Sequence, residues 1–112
     1  MRRSRFVSAY QRLAAEIHDT AVKKGFWQEA DRNKAEMIAL MHSELSEALE
    51  AVRCGNPPDD KIPKFDGVSA EMADAIIRIM DFGHAFGYKI AEAIEAKMSY
   101  NKKRSHKHGK AF

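Results

Sequence analysis

Apolar residues recur along the chain at the spacing of amphipathic helices. Phe6, Tyr10, Leu13, Ile17 and Ala21 follow at intervals of four, three, four and four. That predicts a helix over about residues 5–24, closed by Gly25. A second helix is expected over about 31–53, with Asp31 as N-cap and Met37, Met41, Leu45, Ala48 and Val52 as its apolar face. Gly55 suits its C-terminal turn, and Asn56-Pro57-Pro58 prevents continuation. Pro63 and the Asp66-Gly67 pair keep the following stretch irregular. A third helix over about 68–86 presents Val68, Met72, Ala75, Ile76, Ile79 and Phe82, with Gly83 a weak point inside it. After a turn at Gly87, a fourth helix over about 88–102 carries Ile90, Ile94 and Met98. No period-two pattern competes and no segment repeats. The 112 residues therefore predict one all-α domain with a four-helix, bundle-like arrangement.

Composition agrees with a folded chain, at 45% hydrophobic and 31% charged residues. No apolar run approaches the roughly 20 residues that span a bilayer, so no membrane association is expected. The first six residues are basic, but no signal-type apolar stretch follows them. Cys54 is the single cysteine, which fits a reducing cytoplasm. The net charge of +3 is modest, yet residues 102–110 read KKRSHKHGK without one acid. Such a segment is either a solvated basic tail or a phosphate-binding one, and charge alone does not choose.

Carboxylates change the picture. A helix advances about 100° per residue, and on that wheel Glu44 falls within the apolar face of the second helix, with Glu47 at its edge. On the third helix Glu71 borders the apolar face and Asp74 lies one step further out. Each pair is spaced i, i+3, on neighbouring positions of one surface. An acid on an apolar face needs a cation, because burying it unpaired costs several kcal/mol or shifts its pKa. Two such pairs on facing helices would enclose a hard-oxygen site suited to Mg²⁺ or Mn²⁺. The bland alternative is a solvated acidic surface in which Arg78 pairs with Asp74 at i, i+4. On the fourth helix Lys97, Asn101 and Arg104 continue the stripe begun by Ile90 and Ile94, so the same side turns from apolar to cationic. That suits an anion at the edge of the core, unless it is simply a frayed basic terminus.

Taken together, these segments resemble the MazG-like, all-α nucleoside triphosphate pyrophosphohydrolases. The resemblance is carried by Glu44-Leu45-Ser46-Glu47, by Glu71-Met72-Ala73-Asp74, by Lys97, Met98, Tyr100, Asn101, Lys102 and Arg104, and by the closing His108-Gly109-Lys110. It covers about residues 30–112. It implies cleavage of a nucleoside triphosphate, expected to be a deoxynucleotide, into the monophosphate and pyrophosphate, in nucleotide-pool house-cleaning. It implies that Glu44, Glu47, Glu71 and Asp74 hold Mg²⁺, with Mn²⁺ an alternative, and that Glu47 takes the proton of the attacking water. Lys97, Asn101 and Arg104 would bind phosphate or sugar oxygens, and His108 and Lys110 would close over the site. His18 and Trp27 resemble base-contacting positions of deoxycytidine-type relatives, although a Trp is more often core. A homodimer or homotetramer is the implied assembly.

Two rivals belong to other classes. A non-enzymatic helical module would bind nucleic acid through the basic tail, but it leaves Glu44 on an apolar face without purpose. On the enzyme reading no nucleic-acid partner is expected. A di-iron carboxylate bundle needs Glu-x-x-His on two helices. The chain offers only Asp81-Phe82-Gly83-His84, with His84 turned away from Glu71 on the wheel.

Overall fold

Four helices hold most of the described backbone. The computed structural model describes residues 3–29 and 32–104. It contains α1 (Arg5–Lys23), α2 (Lys34–Arg53), α3 (Gly67–Phe86) and α4 (Ile90–Lys102). Among the described residues there is no strand, only an isolated bridge between Pro58 and Asp66. None of these helices is long and apolar enough to cross a membrane.

Local chemistry sets most of the boundaries. Ser4 caps α1 by accepting from the Val7 N–H. Asn33 caps α2 by accepting from the Glu36 N–H. The expected cap, Asp31, lies outside the described residues, and the observed helix starts three residues beyond it. An Asx side chain can cap only the turn directly after it, so Asn33 takes the role. Asp66, expected to be a loop residue, is the α3 cap. It accepts from the Ser69 N–H and hydroxyl and from Asn56. Those bonds, the Ser69 backbone N–H foremost, hold its carboxyl down at about 2. Gly87 ends α3 in the left-handed region at φ 74°, where a side chain would be strained.

α2 and α3 form the main packed pair. Ala51 lies against Gly67 at one end, while Glu44 meets Arg78 further along, so the two run antiparallel. α1 lies across α3, and α4 packs on α1, where Gln11 reaches Glu92. Gly83 permits the α3–α4 corner, because a Cβ there would stand 2.5 Å from Ile90 Cδ1. The buried core is small in side-chain volume: Val7, Ala14, Met37, Ala48, Ala70, Ala75, Met80, Phe82 and Ala91. Several residues expected to be core are exposed instead, among them Phe6, Leu13, Leu45, Val52, Met72, Ile76 and Met98. The apolar stripes are wider than three neighbouring helices can cover.

Candidate metal centre

The two acidic pairs meet because their helices are antiparallel neighbours. Each offers oxygens on the face towards the other, and Glu44, Glu71 and Asp74 bring one oxygen apiece within 4.8 Å of one another. Glu44 and Glu71 are half-buried and Asp74 is exposed. Glu47 is exposed and outside that set, although close enough for its charge to act on Glu71.

Crowding shows in the acidities. Burial, then a hydrogen bond shared with Glu44, then the charges of Asp74, Glu44 and Glu47 push the Glu71 carboxyl above its ordinary value. Asp74 is raised by burial and by the Glu44 charge, which outweigh the lowering effect of Arg78. A cluster of carboxylates that resist ionising together attracts a cation. The donor set is all carboxylate oxygen, with no His or Cys, as Mg²⁺ and Mn²⁺ prefer. Neighbouring ligands of an octahedral Mg²⁺ stand roughly 3 Å apart. A closure of an ångström or two along flexible side chains would complete the set, so the residues fit the ion.

Above the carboxylates a groove of about 400 Å³ opens between α1, α2 and α3, within the usual size range for small-molecule sites. Glu44 and Asp74 line it, and so do Lys24, Arg32, Lys61 and Arg78. Sequence reasoning missed the first three cations. They sit at the end of α1, before α2 and in the α2–α3 loop, and share no period that a helical wheel could reveal. The fourth, Arg78, entered only in the bland alternative, as a partner for Asp74 one turn away. Its Nε instead donates to Glu44 Oε1 across the helix pair at 3.0 Å.

The α4 expectation is not met within one chain. Lys97, Asn101 and Arg104 are exposed on α4, and none lines the groove. Arg104 stacks its guanidinium over Tyr100 instead. α4 packs on α1 and is not placed over the carboxylates; its buried residue is Ala91, while Ile94 and Met98 are exposed. His108 and Lys110 lie outside the described residues.

His18 and Trp27 are brought together by Asp81, a residue with no role on the sequence reading. His18 Nδ1 pairs with Asp81 Oδ1 at 2.8 Å, and the Trp27 indole N–H donates to Asp81 Oδ2 at 3.1 Å. The two rings meet edge to face, and Arg32 lies over the indole. Asp81 itself lines the groove, so this network forms the wall behind its end. His84 stands beside His18, away from the carboxylates. That placement removes the di-iron arrangement.

No protein-family profile matches the chain, and no curated protein or solved structure is recognisably similar to it.

Proposed function

We propose that the chain is a Mg²⁺-dependent nucleoside triphosphate pyrophosphohydrolase that releases pyrophosphate and a nucleoside monophosphate. One observation carries the reading: three carboxylates converge, and two of them, Glu44 and Asp74, line a groove that four cationic side chains also line. A site that wants a dication and an anion side by side suits a metal–polyphosphate. On this reading Glu44, Glu71 and Asp74 hold the ion, which would supply charge neutralisation at the phosphates and a more acidic water. Lys24, Arg32, Lys61 and Arg78 bind phosphate oxygens. Glu47, solvent-facing and beside Glu71, accepts a proton from the water that attacks the α-phosphorus. The bond from the α-phosphorus to the bridging oxygen breaks, and pyrophosphate leaves. His18 and Trp27, fixed by Asp81, shape the end of the groove where a base would lie.

Self-association belongs to the same reading. A folded monomer of 12.7 kDa exposes about 6,200 Å², whereas this chain exposes 8946 Å². Counting the twelve residues outside the described range as fully extended still leaves an excess of about 1,200 Å². A standard interface takes about 800 Å² from each partner. The excess is apolar where α1, α3 and α4 meet, in a groove lined by Phe6, Leu13, Ile76, Ile79, Ile90 and Ile94. A second copy is the natural cover. Lys97, Asn101 and Arg104 would then reach a substrate from a neighbouring copy, since their own groove lies elsewhere.

The test is a panel of nucleoside triphosphates followed by phosphorus NMR, with Mg²⁺ and with EDTA. Pyrophosphate should be the first phosphate product, only with metal, and Glu44→Gln or Asp74→Asn should nearly abolish it. Full turnover in EDTA, or orthophosphate appearing first, would refute the reading.

A further inference from the structure

Arg78 occupies an unexpected place. Asp74 is one helical turn away on the same helix, the usual partner for an arginine at i, i+4. The guanidinium instead crosses to α2 and reaches Glu44 Oε1. It does so through Nε, whereas a guanidinium holds a carboxylate most firmly with two parallel donors. The Nε contact is the hydrogen bond Arg78 makes among the described residues, and its side chain is 42% exposed against 14% for Glu44. Arg78 also lines the groove beside Lys24, Arg32 and Lys61. A partly solvated, singly attached cation therefore covers a half-buried carboxylate of the cluster.

We propose that Arg78 is an exchangeable counter-ion: it neutralises Glu44 in the metal-free protein and yields that carboxylate when a divalent cation arrives. The inference rests on the metal site proposed above. Its physical ground is competition for one acceptor. Glu44 Oε1 is the oxygen Arg78 holds, and the three carboxylates lie too close together for a dication and a guanidinium to share them without repulsion. Once displaced, the guanidinium stays tethered at the groove, with its donors free for phosphate oxygens. Metal binding thereby adds one cation to the anion-binding rim. Without metal, that cation is engaged by Glu44 and the rim is weaker. Metal and polyphosphate bind with positive coupling because both depend on the position of one side chain.

Two measurements test the exchange without any turnover. Free Mn²⁺ is counted by electron paramagnetic resonance during titration of the unmodified protein, Arg78→Met and Arg78→Lys. Arg78→Met should bind Mn²⁺ about fivefold tighter or more, within the usual range of coupling between sites. Arg78→Lys, which keeps a mobile charge, should stay near the unmodified protein. Removing a bystander charge would also strengthen Mn²⁺ binding, so the second measurement decides. In the unmodified protein the Arg78 Nε–Hε resonance, assigned by its loss in Arg78→Lys, is followed during Mg²⁺ titration beside the Glu44 side-chain carboxyl carbon. Both should move with one midpoint. A Glu44 carbon that shifts while the Arg78 resonance stays fixed overturns the exchange and leaves the metal site standing. If neither resonance moves and no variant takes up Mn²⁺, the metal site falls and the exchange falls with it. The resonance measurement holds even if Arg78→Met fails to fold.

Discussion

Replacing Glu71 by Gln keeps the shape of a half-buried side chain and removes one charge from the carboxylate cluster. Oxygens of Glu44 and Asp74 lie within 4.8 Å of that position. At this separation a like-charge pair costs about 0.9 kcal/mol in bulk water and about 3.5 kcal/mol at an effective dielectric near 20. Salt screening and partial exposure bring the net relief towards the lower figure. Without metal at pH 7 the variant should therefore be about 1 kcal/mol more stable, a rise in Tm of roughly 3–6 °C for a domain of this size. The sign with pH follows from the direction of the shift. A carboxyl whose folded pKa is raised binds its proton better in the native state, so the native state is favoured below the unfolded value. That advantage is lost as pH rises through the folded value. The difference between variant and unmodified protein should therefore vanish below about pH 4 and reach a plateau near neutrality. Mg²⁺ should invert the order. At a hundred times its Kd a ligand stabilises by about 2.7 kcal/mol, and a variant short of one ligand gains less. Thermal or urea unfolding at one fixed protein concentration, with EDTA and with Mg²⁺, measures all of this. A variant no more stable than the unmodified protein in EDTA at pH 7, or an undiminished gain from Mg²⁺, would refute the reasoning.

The remaining expectations concern the groove and the apolar face. Lys61→Ala should lower kcat/KM by about tenfold or more, the worth of one charged hydrogen bond, with a larger change in KM than in the fold's stability. Lys97→Ala and Arg104→Ala should act only through a neighbouring copy: mixing either with inactive Glu44→Gln should restore activity through hybrid assemblies, and failure of complementation would place those cations outside the site. Leu13→Glu or Ile94→Glu should shift the mass by light scattering from oligomer to monomer, since a charge at a buried interface is not tolerated unpaired. An unmodified protein that is already monomeric at micromolar concentration would remove the interface argument.

Much of the helical framework could be read from the chain because its signals are local. Gly25, Gly55 and Gly87 act within a turn of where they stand, and the C-terminal ends of α1, α2 and α3 fall near them. The acidic pairs were legible for the same reason: spacing of i, i+3 fixes Glu44 with Glu47 and Glu71 with Asp74 on their own helices. That α2 and α3 face each other was only supposed from the chain; their packing across residues 54–66 decides it. A helical wheel, however, reports angle about one axis and nothing of where that axis lies. For this reason the wheel could line Lys97, Asn101 and Arg104 up with Ile90 and Ile94 but could not tell which element they face. Likewise Leu13 and Ile76 were identified as apolar-face residues although one chain leaves them uncovered. Tertiary packing alone chose Glu44 over Asp74 as the partner of Arg78, and it gathered Lys24, Arg32 and Lys61 from three segments around one groove. Local patterns encode the phase of each helix because its hydrogen bonds close within four residues. Position across helices is set by contacts between residues tens of positions apart, which no short-range period records.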